Sequence, residues 1–289
     1  TLDVVDEFKD KLDIEVKIQS DGYFEEALNI IYEIAKDYDI TLTTDDDAIP
    51  SRTWVEEHVK FHKDHERIGI AQGIVLVSPN YCYEYASLVR SLIGYHKPLI
   101  HEMINYKVII NDMGLLACRS KEIIGEDYWA HGYVLTIGIG GVNMSLKSKP
   151  YIEGFTLPGY TVRGMHNERI LALHYLKQGL HAAYFNGASV EHLERDSLSR
   201  PTNPRARFTA SMEWYLLPYG IHYYGFKINM RKLKLYHRLI ELYSRFRGTL
   251  ISRAYATGLK LAIEAIENNY EPREVRNRLI KLSESLTLQ

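Results

Sequence analysis

Three consecutive carboxylates, Asp45, Asp46 and Asp47, follow the run Ile40-Thr41-Leu42-Thr43-Thr44, whose apolar and β-branched residues predict a short buried strand. Adjacent like charges repel, so the cluster must be relieved by solvent, by a helix N-terminus or by a divalent cation. Two readings follow. In one, the acids form a solvated turn and Asp47 or Ser51 caps a helix that begins near Arg52 and Trp54. In the other, the strand end presents Asp45 and Asp47 to Mg²⁺ or Mn²⁺, hard ions that take oxygen ligands and share them with substrate phosphates.

Other groups carry weaker chemical signals. Glu168 falls at the start of a predicted helix ended by Gly179, where a carboxylate is favoured and can still reach a cleft. His58, His62 and His65 lie three or four residues apart on the predicted helix from Trp54 to His65, but the zincin order is absent, which favours a solvated face over a metal site. Gly138, Gly140 and Gly141 lack the context of a phosphate-cradling loop and read as positions of close backbone approach. Arg195, Arg200, Arg205 and Arg207 sit in a polar, proline-containing segment, suited either to closing over an anionic nucleotide or to serving as a solvated linker.

Four segments carry a resemblance. In order, they are Gly22 with Ala27-Leu28-Asn29, then Asp45 to Asp47, then Gly141-Val142-Asn143-Met144-Ser145, and finally Asn167-Glu168-Arg169-Ile170-Leu171 with Gly179. Together they resemble the family-2 glycosyltransferases of GT-A fold, over approximately Thr1 to Arg200. The resemblance implies an α/β fold with a Rossmann-like mixed central sheet flanked by helices. It implies Mn²⁺ or Mg²⁺ held by Asp47 and Asp45, with His192 as a further candidate ligand, and a nucleotide-sugar donor met by Asp45, Asp46, Asn143 and Arg200. Glu168 takes the place of the family's general base, an Asp there, and Asn167 the place of the Glu before it. A glutamate reaches one methylene farther, so the acceptor must sit farther away.

The implied activity is inverting transfer of a sugar to an acceptor hydroxyl of a glycan, polysaccharide or polyprenyl-linked lipid. A nucleotidyltransferase of similar fold and a non-catalytic sugar- or lipid-binding protein are the alternatives. In the resembled family a strand, a helix and another strand precede the Gly22 segment and hold the nucleotide base. The sequence starts at Thr1, so either it begins inside the expected domain, residues 1–205, or that domain lacks its first strands, and in both cases the base is left open.

The elements that must position these groups are read from periodicity. Leu2, Val5, Phe8 and Leu12 have helical spacing, and Ile14 to Ile18 alternates like a strand. Ile68 to Val77 reads as one buried strand, Val108 to Cys118 as a strand region with a turn at Asn111-Asp112, and Ala182 to His192 as strand and loop. Tyr81, Tyr83, Tyr85, Tyr95 and His96 suit stacking on sugar rings, although tyrosine is common throughout at 22 residues.

Residues 206–289 are expected to form a helical extension. From Lys227 to Lys260, nine Lys and Arg residues oppose the single acid Glu241, and Leu235, Leu239, Tyr243, Phe246 and Leu250 recur at helical spacing. Such a stripe usually packs on its own domain, while the basic face suits anionic lipid headgroups.

Composition sets outer bounds. A chain of 289 residues with a net charge of −2 can bury an ample core and has no general attraction to nucleic acid. The two cysteines, Cys82 and Cys118, have no metal-site spacing and indicate no disulfide framework, which favours a reducing, cytoplasmic location. No apolar run reaches membrane-spanning length, so membrane contact would be peripheral, at the inner face of the cell membrane.

Overall fold

The computed structural model describes residues 2–76, 93–119, 131–193 and 202–285. Its centre is a five-stranded mixed sheet in the order β1 (Ile40–Thr44), β8 (Asn143–Lys147), β3 (Ile68–Gln72), β9 (His181–Phe185), β7 (Tyr133–Leu135). Strand β8 runs antiparallel to both its neighbours, β3 and β9 are parallel, and β7 is antiparallel to β9.

Alternation along the strands sends side chains to two different layers. Met144, Leu146, Ile70 and Ala182 join one buried cluster, while Ala183, Phe185 and Ala71 join a second. Helix α3 (Trp54–Asp64) covers the second face, stacking Phe61 on Phe185 with ring centroids 4.2 Å apart. The first face carries α4 (Asn167–Lys177), in which Ile170 to Leu173, Tyr175 and Leu176 are all buried. A helix apolar on nearly every side must be covered on both sides, and here His174 on its outer side meets Phe155, the Tyr151 carbonyl and Tyr224, the last among the C-terminal helices.

Those helices are α5 (Pro204–Trp214), α6 (Leu217–Tyr223), α7 (Met230–Arg247), α8 (Leu250–Glu267) and α9 (Pro272–Glu284). Asn203 starts α5 by accepting from the Arg205 and Ala206 N–H groups, and Pro204 at the first helical position needs no partner for a missing N–H. Helix α7 stops at Gly248 in the left-handed region, and Thr249 caps α8 through the Ser252 N–H. Phe208, Met212, Leu259 and Leu279 belong to the same continuous core as Ile70 and Met144. The segment from 206 onward therefore shares its core with the sheet.

A second, three-stranded sheet has the order β2 (Ala48–Pro50), β10 (Val190–His192), β4 (Val75–Leu76). The expected strand from Ile68 to Val77 is thus two strands in two sheets. Gly73 makes the break, because a Cβ there would lie 2.4 Å from the Ala188 carbonyl oxygen. The turn expected at Asn111-Asp112 closes the hairpin of β5 (Val108–Ile110) and β6 (Leu116–Cys118). There Asn111 Oδ1 accepts from the Met113 and Leu115 N–H groups.

Several expectations are corrected. The segment Ile14 to Ile18 forms no strand and leaves Ile18 80 % exposed, since alternation alone supplies no partner strand. The first helix, α1, covers only Leu2–Asp6. Cys118 is disulfide-bonded, against the expectation of no disulfide, so cysteine usage gives no support to a reducing compartment. Spacing along the chain could not show which sulfurs the fold brings together. Tyr81, Cys82, Tyr83 and Tyr85 lie outside the described residues, and Tyr95 is buried with its hydroxyl donating to the Leu116 carbonyl, so it offers no exposed stacking face.

Helix α8 crosses closely over α5, where a Cβ at Gly258 would lie 2.2 Å from the Met212 carbonyl oxygen. Gly258→Ala should therefore lower the unfolding free energy by roughly 1–3 kcal/mol, overpacking outweighing the helix-propensity gain of up to about 1 kcal/mol. Denaturant titration of the two proteins measures it, and a more stable variant would contradict the crossing.

Candidate functional site

Strand β1 ends at Thr44, and the acidic residues occupy the turn that carries the chain from the first sheet into the second. The turn is closed by the Ala48 N–H donating to the Asp45 carbonyl at 3.2 Å. Strand β2 then pairs with β10 so that His192 lies opposite Ala48, and the Leu193 N–H donates to the Asp47 carbonyl at 2.9 Å. That register sets the imidazole beside the acids. His192 Nε2 is 3.5 Å from Asp47 Oδ1 and 3.9 Å from Asp45 Oδ2. One ligand atom from each of the three residues lies within 4.8 Å of the others.

Partial burial first, then the Asp47 carboxylate, push the Asp45 carboxyl above its ordinary range. His192 opposes this shift, and the Glu168 carboxylate adds to it. Asp46 is exposed and lies outside the three-residue cluster. The capping alternative fails, because α3 has Thr53 at its N-cap position and Ser51 contributes only a backbone carbonyl, to the Trp54 N–H. Asp47 is turned toward His192 instead.

Asn143, expected at the donor sugar, is a structural hub. Its side chain is fully buried, its Oδ1 accepts from Trp54 Nε1 at 2.8 Å and His58 Nε2 at 2.9 Å, and its Nδ2 donates to the Ile74 and Ala188 carbonyls at 2.8 and 2.6 Å. All four hydrogen-bonding positions are used, leaving none for a ligand. Ile74 precedes β4 and Ala188 precedes β10, so this amide ties the second sheet to the first. Glu57 on α3 reinforces the tie by accepting from the Ala188 N–H, and the Thr53 hydroxyl, then that N–H, hold its carboxyl below the usual range.

The histidines of α3 are likewise structural. His58 bonds Asn143, and His62 spans Ser145 Oγ and the Ile68 carbonyl, so two rings pin α3 to β8 and β3. Burial keeps both neutral, pushing His62 down to about 4. His65 packs against Phe61 and Tyr133.

Glu168 stands in the first turn of α4, one step from β1. The Thr43 hydroxyl donates to the Gly141 carbonyl at 2.6 Å, and the Gly141 N–H donates to Glu168 Oε1 at 3.1 Å. Arg169 holds Oε2 at 2.8 Å. A Cβ at Gly141 would lie 3.2 Å from that carboxylate, so the glycine permits the approach. The adjacent Gly140 N–H donates to Gln72 Oε1 at 2.7 Å, a contact with no signal in the sequence.

The segment leading to Glu168 is anchored at several points. Asn29 of α2 (Phe24–Ala35) exchanges two hydrogen bonds with the Leu157 backbone, and Glu25 accepts from the Thr161 N–H and hydroxyl. Glu213 of α5 accepts from the Val162 and Arg163 N–H groups at 2.8 and 3.0 Å. Arg276 of α9 donates to the Thr161 carbonyl and pairs with Glu26 and Glu25, so the C-terminal helices and α2 grip the same loop. His166 sits at φ 71° and bonds the Trp214 carbonyl.

Of the arginines expected over a nucleotide, Arg195 and Arg200 lie outside the described residues. Arg205 is in the first turn of α5 and pairs with Glu284 at 3.5 Å, and Arg207 is exposed on the same helix. A concavity lined by His65, Arg67, Tyr133 and His181 opens at the other end of the sheet, beside the start of β3 and away from Asp45, Asp47, His192 and Glu168. No protein-family model and no curated protein matches the chain.

Two predictions follow from this geometry. Asn143→Ala strands two donors and two carbonyls in the interior and should cost roughly 2–4 kcal/mol of stability, read by denaturant titration. Burial pushes the Glu213 carboxyl up to about 8 from an ordinary 4.5, so its stabilising contribution is complete below pH 4.5 and is lost as pH rises through about 8. Glu213→Gln keeps the acceptor carbonyl but cannot ionise. Its thermal midpoint should fall less than the parent's between pH 5 and 8 and exceed it at pH 8 by the equivalent of a few kcal/mol.

Proposed function

We propose that this chain is a metal-dependent inverting glycosyltransferase with a GT-A-like sheet, moving a sugar from a nucleotide-diphosphate donor to an acceptor hydroxyl. One observation carries the reading: Asp45, Asp47 and His192 converge at a strand end, and the Glu168 carboxylate lies close enough to act electrostatically on Asp45. The ordered resemblance of the Gly22, Asp45, Gly141 and Glu168 segments supports it.

Two carboxylates and an imidazole within 4.8 Å fit Mn²⁺, which takes mixed oxygen and nitrogen ligands, and fit Mg²⁺ less well. When bound there by Asp45, Asp47 and His192, such an ion offsets the negative charge of a diphosphate leaving group.

The chain's own residues account for the rest. Glu168, oriented by the Gly141 N–H and Arg169, takes the proton of the acceptor hydroxyl. The hydroxyl oxygen bonds to the anomeric carbon from the face opposite the diphosphate. The bond from that carbon to the diphosphate oxygen breaks with its electron pair, and configuration inverts. Asn143 acts as scaffold beneath the cleft, leaving sugar recognition to other groups.

Incubation with a panel of nucleotide-sugars and Mn²⁺ should release nucleoside diphosphate, and Glu168→Gln should lower kcat by about 10²–10⁴-fold. Mn²⁺ should raise the thermal midpoint of the parent and of Glu168→Gln, but not of Asp47→Ala or His192→Ala. Release of pyrophosphate would establish nucleotidyl transfer instead, and full activity in Glu168→Gln would remove its assigned role.

A further inference from the structure

Helix α7 was expected to pack its stripe Leu235, Leu239, Tyr243, Phe246 onto the domain, and the fold turns much of that stripe outward. Leu233, Tyr236 and Ser244 face the core, while Leu235, Leu242 and Phe246 are 47 %, 67 % and 89 % exposed. Positions 231, 235, 238, 242, 245 and 246 follow helical spacing and share the solvent face, so Arg231, Arg238 and Arg245 interleave with those apolar side chains.

The positive charge of this face is only partly balanced. The helix carries six Lys and Arg residues and one Glu, and of the six, Lys232 pairs with Asp112 at 2.9 Å. Glu241 is taken by Arg245 at 2.9 Å, and Glu264 and Glu267 of the neighbouring α8 are taken by Lys260 and Lys234. Arg231 and Arg238 have no ion pair among the described residues. At the C-terminal end of α7 and just beyond it, residues 245–249 are all exposed, so Phe246 stands on an exposed corner.

We propose that this face of α7 docks in the plane of an anionic lipid surface, with Leu235, Leu242 and Phe246 entering the headgroup and acyl boundary and the guanidinium groups meeting lipid phosphates. Charge complementarity selects this occupant. Aliphatic side chains find neither stacking nor hydrogen-bonding partners along a nucleic-acid backbone. A second copy laid on the same stripe would bring arginine against arginine in a two-fold contact. No helix among the described residues is long and apolar enough to cross a membrane, which fits docking rather than insertion across it.

Co-sedimentation with vesicles of phosphatidylcholine alone, and of an equal mixture with phosphatidylglycerol, tests this directly. The chain should bind the mixed vesicles, bind neutral ones far more weakly, and lose affinity as salt is raised. Each of Arg231→Gln and Arg238→Gln should weaken binding by about fivefold, and the double variant Leu242→Gln, Phe246→Gln by tenfold or more, with thermal midpoints unchanged because these side chains are exposed. Equal binding to both vesicle types, or parent-like binding by the double variant, would overturn the proposal. So would a dimer in light scattering that Phe246→Gln dissociates, or tighter retention on duplex DNA than on mixed vesicles.

Discussion

The buried amide of Asn143 is the constraint on which the site depends. It lies on β8, beside the edge strand β1, and its four hydrogen bonds reach α3 on one side and the starts of β4 and β10 on the other. An unpaired amide in that position would cost more than any one of the bonds yields, so the groups that satisfy it must be present together. Their presence fixes where β10 begins, and hence where His192 arrives relative to the acidic turn after β1. The convergence of Asp45, Asp47 and His192 is thus a consequence of interior hydrogen bonding as much as of the polar residues themselves.

A second constraint acts on Glu168. The loop before Glu168 buries Phe155, Leu157 and Tyr160 in the core, and its polar backbone is fixed by Glu25, Glu213 and Arg276 from three different helices. Burying three ionisable groups is costly, and backbone N–H donors and the Arg276 pairs offset only part of it, since burial still raises the Glu25 and Glu213 carboxyls above their ordinary range. The helices that supply Glu213 and Arg276 come from the last third of the chain. That third therefore shares the core with the sheet and sets the loop that feeds Glu168, and removing it would loosen the site as well as the core.

Helix α7 shows how one sequence stripe can serve either of two faces. Leu233 and Tyr236 turn inward because α8 packs beside them, and the equally apolar Leu242 and Phe246 are left outside with the arginines. This exposed apolar strip set in positive charge is the observation on which the proposed lipid docking rests.

By itself, the sequence determined the elements that local physics controls. Helices α3, α7 and α8 follow from apolar spacing, the break near Asn268 and Pro272 separates α8 from α9, and the Asn111 turn closes its hairpin through its own side chain. The strand that ends in three acids was equally legible, and so was the placement of Glu168 in a first helical turn. Tertiary structure decided what each polar side chain faces. Asn143, His58 and His62 carry the same residue types whether they meet a ligand or the interior, and only the packing of α3 on β8 spends them internally. The split of Ile68 to Leu76 between two sheets, the disulfide at Cys118 and the outward face of α7 were also settled by contacts between distant segments. Periodicity and spacing report the preferences of neighbours in sequence, whereas burial and pairing depend on partners brought close only when the chain has folded.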